Sequence, residues 1–246
     1  MVDMLTLEYR ANIAKIEARS ARRIANSWRS LSLDNVATVR DAMTDVVLAN
    51  GIAYGETTSL LAAQYYDDLR VSERVPSKYV ADIATDFDTA ATAGSIRWAV
   101  DPLNGGSSTD ALARVQVVGS GIVNAIASQT VMRNVGADPR AQGWNRVARA
   151  GSCDFCVMLS QRGAVYKSAT ADFAAHNNDK CSARPSWDAS APEVDVKAYE
   201  ASQKTTRLRE LDKADGGNRL AHHQANIAGW IEGNTKTLDA FRSELL

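Results

Sequence analysis

The sequence predicts a mainly α protein in three parts: an N-terminal helical bundle over residues 1–135, a small zinc-stabilised β-containing module over 136–191, and a helical C-terminal tail over 192–246. Three observations carry this. Through most of the first part apolar residues recur at intervals of three and four, the spacing of one helical face. Beyond about Trp144 the pattern breaks into brief runs bounded by glycine or proline, which suit strands. All three cysteines and one of the three histidines then follow in the order Cys-x2-Cys-x19-His-x4-Cys, at Cys153, Cys156, His176 and Cys181.

The first helix is expected from Leu5 to Leu31, with Leu5, Tyr9, Ile13, Ile16, Ile24, Trp28 and Leu31 on one face. Its opposite face is assigned Arg10, Arg19, Arg22, Arg23 and Arg29. Such a basic excess is either a solvated outer face, which is the norm for surface helices, or a contact for phosphate or an acidic partner. Ser32 or Asp34 can cap a second helix through Val36, Val39, Met43 and Val46, with Asn50-Gly51 as its stop. A third, from about Glu56, spaces Leu61, Tyr65 and Leu69 by four and breaks at Val75-Pro76, because a residue before proline avoids the helical region. A fourth is expected from Ser77 or Tyr79, with Val80, Ile83, Phe87, Ala91 and Gly94 on one face, to near Trp98. After the loop at Asp101–Gly106, Ser108 or Thr109 caps a fifth helix, whose stripe of Leu112, Val115, Gly119, Ile122 and Ile126 is apolar enough for the bundle's centre. Gly136-Ala137-Asp138-Pro139 ends it.

Strands are expected at Trp144–Ala150, Gly163–Lys167 and Ser182–Trp187, with the cysteines and His176 at the turns between them. Two thiolates two residues apart can meet one ion from a tight turn, and a second pair returned by a hairpin completes a tetrahedron around Zn2+. Four protein ligands leave no open position, so the ion would hold structure and supply what a small core lacks. A redox Cys-x-x-Cys, a disulfide framework and unrelated reduced cysteines are the alternatives. The first expects a βαβ context, and the second suits a short secreted chain, whereas no secretory signal is evident here. Beyond Pro192 the chain turns polar, with a weak apolar face to Gly216-Gly217 and a final helical pattern from about Asn218 to Leu246.

Composition is that of an ordinary globular chain, with 45% hydrophobic and 23% charged residues and a net charge of −1, so nothing global calls for nucleic acid or an anionic membrane. The most apolar long run, Val115–Met132, is interrupted by Gln116, Asn124 and Gln129 and falls short of about 20 consecutive apolar residues. No membrane partner is expected.

Four stretches together resemble the MuF-like minor head proteins of tailed bacteriophages, especially those of actinobacterial hosts, whose members are also described as capsid maturation proteases. They are Ala62-Ala63-Gln64-Tyr65-Tyr66-Asp67-Asp68-Leu69-Arg70, Ile96-Arg97-Trp98-Ala99-Val100-Asp101-Pro102-Leu103, Trp144-Asn145-Arg146-Val147-Ala148-Arg149-Ala150-Gly151, and the run from Cys153 through Tyr166. The family pattern often places Cys-x-Cys after the histidine; here the second position is Ala183, which leaves Cys153, Cys156, His176 and Cys181 as the complete set. The resemblance implies a low-copy protein of the virion head, assembled in the bacterial cytoplasm with the portal, scaffold and major capsid proteins.

An enzyme needs a nucleophile and a base. Outside His176 the histidines are His222 and His223, adjacent in the tail, and the chain lacks His-Glu-x-x-His, Gly-x-Ser-x-Gly and the zinc deaminase signature. Asp88-Thr89-Ala90 and Asp215-Gly216-Gly217 match an aspartic protease loop poorly, and Asn104–Ser108 lacks the P-loop lysine. No catalytic residue is assigned, and proteolysis rests on the resemblance alone. Arg146, Arg149, Arg162, Lys180 and Arg184 either neutralise three thiolates around zinc or touch packaged double-stranded DNA without base specificity. The reading that follows is a structural minor head protein, with a maturation protease and a DNA-contacting internal protein as the alternatives.

Overall fold

A computed structural model describes residues 3–148, 157, 160 and 181–190. Helix α1 spans Met4–Arg29, and Asp3 caps it by accepting the Thr6 amide at 2.8 Å. Tyr9, Ile13, Ile16, Ile24 and Trp28 are buried, as the periodicity requires. Arg10 departs from the expectation: it lies on the buried side, one position from Tyr9 and three from Ile13, while Lys15 joins Arg19, Arg22, Arg23 and Arg29 in solvent.

The expected second and third helices are one, α2, from Val36 to Ser72, about 55 Å long at 1.5 Å per residue. Its cap is Asn35, whose side chain accepts the Thr38 amide at 3.1 Å, while Ser32 and Asp34 bond each other. Asn50-Gly51 does not stop the helix, because both residues serve its packing. The Asn50 amide donates to Ser20 Oγ of α1 at 2.6 Å. A Cβ on Gly51 would stand 2.7 Å from the Phe87 ring and 3.2 Å from Ile122, so glycine there permits close approach. The helix ends shortly before Pro76, as expected.

The expected fourth helix exists only in its second half, as α3, Thr89–Val100, capped by Asp88. Residues 78–88 are non-helical, and side chains of the neighbouring helices satisfy their backbone. Asn134 accepts from the Asp82 amide at 2.8 Å and donates to the Asp82 carbonyl at 2.8 Å. Asp67 accepts from the Ala81 amide, Ser59 accepts from the Ala84 amide, and Thr130 donates to the Ala84 carbonyl. These partners replace the intrahelical bonds that an apolar periodicity alone would imply.

A 3-10 turn, Asp101–Gly105, leads to α4, Ser108–Ala137, capped by Ser107, one residue before the expected position. Helix α4 packs against α1, α2 and α3. By length and composition it could cross a membrane, but over half of its most apolar stretch is buried, so the bundle accounts for that apolarity. At Gly119 the approach of α1 is so close that a Cβ would meet Ile24 Cδ1 at 2.3 Å.

Strands β1, Gly143–Val147, and β2, Ser182–Ser186, pair antiparallel from Gly143↔Ser186 to Val147↔Ser182. β2 falls within its expected run, and β1 overlaps its own but starts one residue earlier, at Gly143. Trp144 and Ala183 are buried in one cluster with Tyr9, Tyr65, Tyr66 and Val131, so this pair shares the core of the helices. The described residues are mainly helical. The expected strand Gly163–Lys167 and the tail over 192–246 lie outside them.

Candidate metal centre

The ladder closes at Val147↔Ser182, so residues 148–181 leave and return at neighbouring points at one end of the pair. Both halves of the cysteine and histidine motif belong to that excursion. Cys181 stands at its return, immediately before β2, and is 2% exposed. It lines a small internal space with Tyr9, Arg10 and Ile13 of α1 and with Asn124, Ala127 and Ser128 of α4. Cys153, Cys156 and His176 lie outside the described residues. Among the described residues no three His, Cys, Asp or Glu side chains gather as a metal site. The donor set itself, three thiols and an imidazole, is one that suits tetrahedral zinc.

The base of the excursion is fixed by two ionic clusters. The first centres on Asp138, just past α4, whose side chain is fully buried. Its Oδ2 accepts from Arg70 Nε at 2.9 Å, Trp187 Nε1 at 3.0 Å and Tyr66 Oη at 3.1 Å, and its Oδ1 accepts from the Arg140 amide at 2.9 Å. One carboxylate thus joins α2, the end of α4 and the residue after β2. Burial alone would raise its pKa, but Arg70, Trp187 and the Arg140 amide more than compensate and hold it below the ordinary value. Burial first, and then the Asp138 charge, push the Tyr66 hydroxyl upward, so it stays a donor. Arg70 is occupied on its far side by the Ser77 and Pro76 carbonyls.

The second cluster centres on Arg184 of β2. Its guanidinium bonds Asp3 Oδ2 at 3.0 Å and Glu73 Oε1 at 2.5 Å, reaching the start of α1 and the end of α2 together. Asp3 therefore caps α1 and pairs with β2 at once. Burial would raise its pKa, but the Thr6 amide and Arg184 leave it lowered. Tyr9 and Tyr65, stacked with centroids 4.1 Å apart, close the same side, and Tyr65 bonds Thr6.

This geometry revises the role of the basic residues near the motif. Arg184 answers Asp3 and Glu73, and Arg146 is buried, so the first is neutralised by its partners and the second is withdrawn from solvent. Arg149, Arg162 and Lys180 lie outside the described residues, as do His176, His222 and His223. Sequence reasoning missed Asp138, Arg70, Trp187 and Asp3 as a set. Asp138 read only as part of a helix stop, and the available signal was the Tyr65–Arg70 stretch. There Tyr65 stacks, Tyr66 and Arg70 hold Asp138, and Asp67 accepts the Ala81 amide.

Neither a curated protein nor a solved structure matches the chain. A family model described as VG15 protein matches residues 4–205, from the start of α1 through β2 and beyond. The match takes in the bundle, the strand pair and the whole motif, and the chain belongs to the VG15 protein family, a family of viral proteins.

Proposed function

We propose that this chain is a structural minor head protein of a tailed bacteriophage, of the MuF-like kind, which acts in head morphogenesis through contacts with the portal, scaffold and major capsid proteins. On this reading it is made in the host cytoplasm and retained in the virion head. The observation that carries the proposal is the viral family match over residues 4–205, which unites the bundle and the motif in one unit. The side chains that hold the strand pair are saturated by one another, as suits a mechanical joint.

Cys153, Cys156, His176 and Cys181 would hold one zinc ion, whose contribution when bound is folding energy for the residues between β1 and β2. The chain's own residues supply the fixed end of that arrangement, since Asp138 and Arg184 set where the excursion begins and returns.

Co-expression with the portal, scaffold and major capsid proteins tests the proposal. The chain is expected to sediment with assembled heads and to leave both scaffold and capsid protein at full length. Processing of either that requires this chain would identify it as a maturation protease instead. Heads that assemble normally and exclude the chain would also refute the proposal.

A further inference from the structure

Helix α1 presents a line of cations to solvent. Lys15, Arg19, Arg22, Arg23 and Arg29 are all exposed. At 100° per residue they fall within a sector of about 120°, and at 1.5 Å per residue they extend over about 21 Å. The buried face of Ile13, Ile16, Ser20, Ile24 and Trp28 fixes this orientation. None of the five forms an ion pair with a carboxylate among the described residues. Lys15 and Arg29 are instead steadied along the helix by Asn12 and Asn26, at 3.0 and 2.5 Å. Two other arginines with access to solvent do pair, Arg40 with Asp41 and Arg184 with Asp3 and Glu73.

The charge is concentrated in this helix. Over Met4–Arg29 there are six basic and two acidic side chains, a surplus of four, in a chain whose net charge is −1. Glu17 is turned toward α4, where Asn124 donates to it, and Glu8 lies about two turns before Lys15. The other exposed side chains from Ala11 to Arg29 are Ala11, Ala18 and Asn26, which are small or polar. A protein partner would need a large apolar or aromatic anchor, and the stretch that carries the five cations offers none; the exposed Met4 and Leu7 stand at the helix start, before it. A phosphate backbone needs only regularly placed donors, and guanidinium forks match its oxygens.

We infer that this face of α1 docks along the phosphate backbone of double-stranded DNA, without base specificity. Duplex DNA presents one negative charge per about 1.7 Å of axis, so five cations spread over about 21 Å have enough phosphates within reach to be neutralised together. The inference rests on α1 alone and stands or falls separately from the role in head assembly.

The test is binding of the full chain to a random-sequence DNA duplex, followed by fluorescence anisotropy between about 50 and 200 mM salt. Five phosphate contacts predict a slope of log affinity against log salt of about −4.5, and the triple variant R19Q/R22Q/R23Q should bring it to about −1.8 with at least a tenfold loss of affinity at low salt. Because the three arginines are exposed, the variant's thermal melt should match that of the parent. The variant R40Q, outside the line, should bind as the parent does. Absence of a duplex complex at low salt, or a triple variant that binds with unchanged affinity and slope, overturns the inference. Equal displacement of the duplex by polyglutamate at matched charge would assign the face to acidic polypeptide and overturn it as well.

Discussion

Where α1, α2 and α4 meet at Gly51 and Gly119, the molecule is closed by shape; where the helices meet the strand pair at Asp138 and Arg184, it is closed by charge. At the first seam Phe87, Ile122 and Ile24 occupy the space that side chains on the two glycines would need. At the second, Asp138 and Asp3 each tie two or three elements to a guanidinium. The contrast teaches which part of the fold is sensitive to what. Apolar contact is indifferent to pH, whereas a buried ion pair depends on both members and penalises the loss of either.

The largest effect is expected from Asp138→Ala. It leaves Arg70 buried without its counter-charge, strips Trp187 of its acceptor and leaves Tyr66 only the longer bond to the Asn134 carbonyl, at a cost of about 3–5 kcal/mol. Denaturant unfolding should show the midpoint falling by that equivalent. A change below about 1 kcal/mol would mean that shape closes this seam too.

Asn134→Ala comes next. It removes the acceptor for Tyr79 and the Asp82 amide and the donor to the Asp82 carbonyl, at a cost of about 1–3 kcal/mol. Amide exchange should quicken first in residues 78–88. At the apolar seam, Gly51→Ala forces the Phe87 ring to move, costing about 1–3 kcal/mol, against which alanine returns up to about 1 kcal/mol of helix propensity. The net loss should be under about 2 kcal/mol and the same at pH 4 and pH 7.

Acid distinguishes the seams most gently. Asp138 and Asp3 both have folded pKa values lowered from the ordinary aspartate value, so the stability they contribute is complete above about 3.9 and is lost as pH falls through their lower folded values. Exchange in β1 and β2 should therefore rise below that pH before exchange in the centre of α4. Simultaneous loosening of both would contradict the division.

Much of the architecture could be read from residue spacing, and its failures share one physical cause. The faces of α1 and α4 were legible because burial there follows the helical period. Asn50-Gly51 looked like a stop because local propensity cannot see that Ser20, Phe87 and Ile122 approach from distant parts of the chain. Residues 78–88 looked helical because their apolar spacing conceals Asn134, Ser59, Asp67 and Thr130, which satisfy a non-helical backbone. The strand pair was legible from its punctuation, but its anchorage was not, since Asp3, Glu73, Asp138 and Arg184 are far apart in sequence. Of the candidate metal ligands, spacing alone proposes the set, and the structure adds where Cys181 sits and how the two ends of the excursion are fixed.

The zinc centre proposed at the open end of the charge-anchored strand pair, closed and structural in role, remains the part of the proposal to be measured. Native mass spectrometry of the reduced full chain at neutral pH, with and without a chelator, is the measurement. One zinc per chain is expected, absent after chelation and absent from Cys153→Ser, with a lower melting temperature in both cases. A reduced chain that carries no metal and melts at the same temperature with or without chelator would contradict the proposal.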